Sequence, residues 1–277
     1  MTQPSTISVE SPTPRIRKIT FSNPPVNLLV PETFARLRDV ITEMSEDPEV
    51  RVAIFTSSTP GYFINHFDIA SAGDVAEPPA EGEVPPAVDV LMRLTKAPFI
   101  SIAAIRGRTR GGGNELALAC DLRYASREQA LFGQPEVASG LLPGGGGSER
   151  LPRLIGRDRA LEAILGSDDY DADLAERYGW ITRALPDTEL DSFVEGMAAR
   201  LASFDKTVLG AAKAQINRAT LPPDADLQAA YGEFLNSLTG PGFQERLPAV
   251  GKLITELGVE EWQRNLGKYL GLANQQA

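Results

Sequence analysis

Between Arg15 and Gly156 the chain alternates apolar runs with amphipathic stretches. "IRKITF" at 16–21 reads as a short strand, and "VRVAIFTSS" at 50–58 and "PFISIAAIRG" at 98–107 as strongly apolar, buried ones. Pro31 opens a helix that sets Phe34, Leu37, Ile41 and Met44 on one face, and "AVDVLMRLT" at 87–95 reads as a second helix. Next, "ELALAC" reads as helical, "LRYAS" and "ALFGQP" as short strands, and "GGGGSERLPRLIG" as a glycine turn feeding another helix. From Asp205 onward "DKTVLGAAKAQINRA" and "DLQAAYGEFLNSL" carry apolar residues at three- and four-residue steps, with Asp205 and Asp226 as cap or first-turn residues. Strand–helix alternation followed by a helical tail predicts an α/β layered fold.

Two segments break the pattern. Residues 1–14, rich in Ser, Thr and Pro, are expected to be a disordered tail. "DVAEPPAEGEVPP" at 74–86 carries too many prolines for an interior element and is expected to be a mobile surface loop, with a lid as one possible use.

Composition narrows the function. The 277 residues are 42% hydrophobic, enough for a substantial core, and the formal charge of −10 disfavours non-specific contact with nucleic acid or anionic membrane. One cysteine, Cys120, leaves no intrachain disulfide, and one histidine, His66, leaves no soft metal-ligand cluster, so no metal is expected. No run of about 18 apolar residues suggests a membrane span, and a reducing cytoplasm is the expected setting.

The candidate chemistry sits in two glycine-rich stretches. In "RGGGNELALA" (110–119), Gly111, Gly112 and Gly113 lead into a helix whose first turn exposes unbonded N–H groups. An anion or oxyanion site and a tight turn against a strand fit this equally. Glu115 follows in the first turn, where the helix dipole alone explains an acid. In "FGQPEVASGLLPGGGG", Glu136 stands among apolar and small residues that would raise its pKa and let it trade protons near neutrality. His66 has no Gly-x-Ser-x-Gly partner and reads as a packed, hydrogen-bonded residue. The run beginning at Gly144 matches neither a Walker motif nor a dinucleotide fingerprint.

Together, "SIAAIRGRTRGGGNELALACDLRYAS" and "ALFGQPEVASGLLPGGGGSERLPRLIG" closely resemble the enoyl-CoA hydratase/isomerase family, the crotonases. The resemblance runs from about Arg15 to the C-terminal helices. It implies a crotonase-like spiral of ββα units over 15–204, holding the active site, and a helical region over 205–277 that supports homotrimers or hexamers. It also implies an acyl-CoA or related small-molecule substrate, with coenzyme A as part of that substrate and no separate cofactor. Gly112 and Phe67 would be backbone oxyanion donors; Glu115 and Glu136 would be the catalytic pair that adds water to a 2-enoyl-CoA, a lyase reaction. Asn65, His66, Gly111 and Gly144 are candidate substrate contacts. Where the family carries an Ala-Gly-Ala-Asp type of segment, this chain has Asn65-His66-Phe67-Asp68. Such bulk is expected to narrow the acyl pocket, re-aim the donor or exclude coenzyme A. Isomerisation, carbon–carbon cleavage or hydrolysis, on a substrate with or without CoA, and a weakly catalytic assembly role, therefore stay open.

Overall fold

The structure, a computed structural model, describes residues 6–74 and 83–276. An antiparallel pair opens it, β1 (Thr6–Thr13) and β2 (Ile16–Ser22), with Val9 opposite Ile19. This corrects the expected disordered tail from Thr6 on. Composition missed it because the ladder is made by backbone groups whatever the side chains, and Ile7 adds an apolar contact with the core.

Two-strand, one-helix units follow. After α1 (Pro31–Glu46) come β3 (Val52–Ser57) and β4 (Tyr62–Ile64), then α2 (Pro86–Lys96). The expected surface loop falls largely on residues 75–82, outside the described residues. Next are β5 (Ile100–Ile105), β6 (Arg108–Arg110) and α3 (Gly112–Ala119), then β7 (Leu122–Ser126), β8 (Leu131–Gly133) and α4 (Gly147–Ile155). Helix α5 (Arg157–Gly166), β9 (Asp169–Asp171), α6 (Ala172–Tyr178) and β10 (Arg183–Leu185) complete the sheets. In each unit the first strand joins a six-stranded sheet, ordered β1-β2-β3-β5-β7-β10, and the second a four-stranded sheet, ordered β4-β6-β8-β9. Within them β3, β5 and β7 pair in parallel, as do β4, β6 and β8. Parallel pairing requires a crossover between strands, and each helix supplies one, so the chain advances as a spiral.

The main core, with Phe55, Phe63, Ile105, Phe132 and Trp180, is packed on one side of the large sheet. Helix α7 (Asp187–Ala202) covers the other side with Leu190, Val194, Ala198 and Ala202, against Val52, Ile54 and Ile102. Burial on both faces explains why β3 and β5 read as continuous apolar runs rather than alternating ones. Helix α8 (Lys206–Thr220) starts at the Asp205 cap, whose carboxylate accepts the Val208 N–H at 2.9 Å. Helix α9 (Asp224–Thr239) packs Leu227 and Tyr231 against Val88 of α2. Four short helices end the chain: α10 (Pro241–Gln244), α11 (Leu247–Leu257), α12 (Val259–Arg264) and α13 (Leu266–Gln276). They turn back toward the core, where Asn274 Nδ2 donates to the Ala138 carbonyl at 2.7 Å.

Candidate active site

The three glycines before α3 serve different constraints. Gly111 has φ of +50°, a conformation that side chains with a Cβ rarely adopt. A Cβ on Gly113 would fall 2.0 Å from the Ile64 carbonyl oxygen, so α3 can lie against β4 only with hydrogen there. Gly112 opens on a cavity: a Cβ built on it would lie 3.6 Å from the Phe67 nitrogen and 3.2 Å from Leu29 Cδ1. Its N–H, the first of the helix, has no intrahelical acceptor. Phe67 forms a parallel bridge with Leu29 that engages the neighbouring groups, Leu29 N–H to the His66 carbonyl and Asp68 N–H to the Leu29 carbonyl. Among the described residues no acceptor takes the Phe67 N–H. Two fixed, unpaired N–H groups at one wall of a cavity are what a developing oxyanion needs.

Both glutamates line the same cavity, which has a volume of about 1200 Å³. Glu115 is 4% exposed, and its Oε1 accepts the Gly145 N–H at 2.8 Å and the Gly147 N–H at 2.9 Å. Burial raises its pKa, while those two donors and the buried Arg150 guanidinium oppose the rise. Glu136 Oε1 accepts from Gln134 Nε2 at 3.1 Å, and its Oε2 has no hydrogen-bond partner among the described residues. Burial first, and then the Glu115 charge, push its pKa up to about 8. Burial raises both carboxyls, but unequally: two N–H donors and a nearby cation favour the ionised form of Glu115, and Glu136, facing that charge, keeps its proton near neutral pH.

Sequence reasoning missed how Glu136 is held. Trp180 Nε1 donates to Asn114 Oδ1 at 2.9 Å, Asn114 Nδ2 to Gln134 Oε1 at 2.6 Å, and Gln134 Nε2 to Glu136. Trp180, Asn114 and Gln134 are all 0% exposed, so these three hydrogen bonds are made away from solvent. Gln134 and Asn114 stand inside the quoted motifs, but nothing in their spacing revealed that they meet.

The bulky Asn65-His66-Phe67 segment is absorbed by neighbours from distant parts of the chain. Asn65 Nδ2 donates to Gln263 Oε1 at 3.0 Å, and His66 Nε2 lies 2.9 Å from the same oxygen. His66 Nδ1 lies 2.7 Å from the Phe67 carbonyl, and burial lowers the ring's pKa against the pull of these two oxygen partners. The Phe67 ring packs against Phe34 of α1, centroids 6.4 Å apart. Arg110, 1% exposed, clamps the arrangement by pairing with Asp169 and donating to the Gln263 carbonyl at 2.5 Å. Of the candidate contacts, His66 and Gly144 line the cavity, whereas Asn65 and Gly111 stand behind its wall.

A family model described as enoyl-CoA hydratase/isomerase matches residues 13–237. The chain belongs to that family. The crotonyl-CoA hydratase of Syntrophomonas wolfei is 35% identical over 194 residues, 69% of this chain and 74% of that protein. A probable enoyl-CoA hydratase of Mycobacterium bovis is 34% identical over 206 residues, 74% of this chain and 79% of that one. Among solved structures, a Streptomyces avermitilis protein provisionally described as an enoyl-CoA hydratase superposes with a TM-score of 0.89 at 39% identity, covering 98% of both chains. The ββα spiral is thus the crotonase-like fold. Among the described residues no helix is long and apolar enough to cross a membrane.

Proposed function

We propose that this member of the family adds water across the 2,3-double bond of an enoyl-CoA thioester, with Glu115 and Glu136 as the catalytic pair. The observation that carries the reading is the unequal setting of the two buried carboxyls in one cavity, Glu115 held by two N–H donors and Glu136 facing its charge, beside the unpaired N–H groups of Phe67 and Gly112. Hydration asks for one base and one acid at once. Ionised Glu115 takes a proton from water as its oxygen bonds to the β-carbon, and the double-bond electrons move toward the thioester oxygen. The two N–H groups stabilise the negative charge that develops there. Protonated Glu136 then delivers its proton to the α-carbon. One proton enters Glu115, one leaves Glu136, and the pair is restored by exchange with solvent.

Names of the relatives point the same way, since they include crotonyl-CoA and enoyl-CoA hydratases. Trimeric or hexameric assembly belongs to this reading too. Val208 and Ile216 of α8 are 66% and 63% exposed, an apolar surface that a second copy would cover. The test is turnover of crotonyl-CoA by the wild type, Glu115→Gln and Glu136→Gln. Each variant is expected to lose about 10²–10⁴-fold in kcat with its circular dichroism intact. Unchanged turnover in both would defeat the proposal.

A further inference from the structure

The cavity that holds both carboxyls has a volume of about 1200 Å³ and extends along α9 to α11. Beyond the carboxyls, the wall is mainly aliphatic and aromatic. A Cβ on Gly145 would fall 2.5 Å from Glu115 Oε2 and 3.0 Å from Leu91 Cδ1, and one on Gly144 would fall 2.7 Å from Phe234 Cγ. Apolar side chains therefore begin directly beside the reacting carboxylate. On the Glu136 side the 3-10 turn over Val137–Ser139 leads to Leu141, which clusters with Leu238 and Phe243.

The lining continues on α11. Leu247, Val250, Gly251 and Ile254 all border the cavity, and their three- and four-residue spacing is one stripe of the helix. Leu247 is 39% exposed, and Val250 and Ile254 are half-buried. One flank of the stripe is fixed, since Val250 and Ile254 pack against the cluster of Leu253, Trp262 and Leu266, and the flank that borders the cavity gains little until something apolar covers it. That flank shares one cavity with both carboxyls.

We infer that the acyl group this site accepts is a long or bulky hydrocarbon, well beyond four carbons, which lies against the apolar wall that runs from Leu91 and Phe234 toward α11. The inference rests on the thioester reading above and names its substrate class. Each methylene buried along the wall should tighten binding about three- to fourfold, the factor expected from apolar transfer.

The test is calorimetric titration of the intact protein with saturated butyryl-, octanoyl- and lauroyl-CoA, which cannot be hydrated, at two temperatures. One ligand per chain is expected, with Kd falling at least about a hundredfold from butyryl to lauroyl. The binding heat capacity should become more negative with each extension, the mark of apolar burial. Equal affinity across the series overturns the inference, as would be seen if a second copy filled the apolar wall. Hydration is assayed separately with the matching 2-enoyl-CoAs. Tightening without hydration leaves the inference standing and defeats the hydratase reading. Hydration of crotonyl-CoA without tightening does the reverse.

Discussion

Replacing Glu136 with Gln should change how stability depends on pH, by an amount that follows from the site. The wild-type carboxyl is held up to about 8 from an ordinary value of 4.5, by burial and by the Glu115 charge. Between those values the native state keeps a proton that the unfolded chain releases, so stability falls as pH rises across the window and levels off above 8. The full displacement corresponds to somewhat under 5 kcal/mol at 1.36 kcal/mol per pH unit. The carboxyl borders an open cavity, whose solvent screens part of this, and about 2 kcal/mol is the expected net. A glutamine at this position still offers an oxygen to Gln134 Nε2 and never ionises. Urea unfolding of wild type and Glu136→Gln at pH 5, 7 and 9 should therefore give a variant that gains about 2 kcal/mol on the wild type between the first pH and the last. Titrating groups that do not face Glu136, Glu149 at about 7 among them, occur in both proteins and cancel in the difference, whereas Glu115, coupled to Glu136, contributes to it. A difference that stays constant with pH would refute the claim that Glu136 is held protonated.

Three further substitutions separate packing from chemistry. Gly145→Ala places a methyl 2.5 Å from Glu115 Oε2 and should cut kcat by at least about tenfold in a folded protein, measured by turnover beside thermal melting. Gly113→Ala places one 2.0 Å from the Ile64 carbonyl, a backbone atom that has nowhere to go. It should cost about 3 kcal/mol or more, read as a fall in melting temperature or in soluble yield. Trp180→Phe strips Asn114 Oδ1 of its donor, which should cost about 1–3 kcal/mol in urea unfolding. It should also lower kcat more than it raises KM, because the Asn114–Gln134 chain that aims Glu136 goes slack.

Much of the fold was legible because its elements obey local rules. The α1 stripe of Phe34, Leu37, Ile41 and Met44 is buried as its spacing predicts, and β3 and β5 are apolar on both faces because helices cover one side and the core the other. What stayed hidden depends on long-range partners. Thr6–Thr13 carries no strong apolar alternation and becomes a strand because β2 offers a free edge. Gln263 lies 198 residues after Asn65 and 197 after His66, yet one side chain binds both. Local periodicity can mark α12 as a helix but says nothing of where it docks. The expected narrowing at Asn65-His66-Phe67 followed from residue size alone; in the fold, α12 and α1 hold those side chains, His66 and Phe67 still line the cavity, and the Phe67 N–H is left unpaired among the described residues.

The glycine triplet shows why a motif can be recognised before it is understood. As letters, Gly111, Gly112 and Gly113 look like one anion-binding nest, and the turn and oxyanion readings weigh equally. In space only Gly112 faces the cavity; Gly111 sets a dihedral angle and Gly113 admits the Ile64 carbonyl. Two of the three thus build the seat, and the third has the chemical opportunity. The same division holds for the second glycine run, where the Gly145 and Gly147 N–H groups grip Glu115 while Gly144 makes room for the Phe234 ring. Both runs end on Glu115, one by carrying it on α3 and the other by hydrogen-bonding it. A change at any of these positions therefore acts on the carboxylate through the backbone, and the activity lost should exceed what the stability change alone explains.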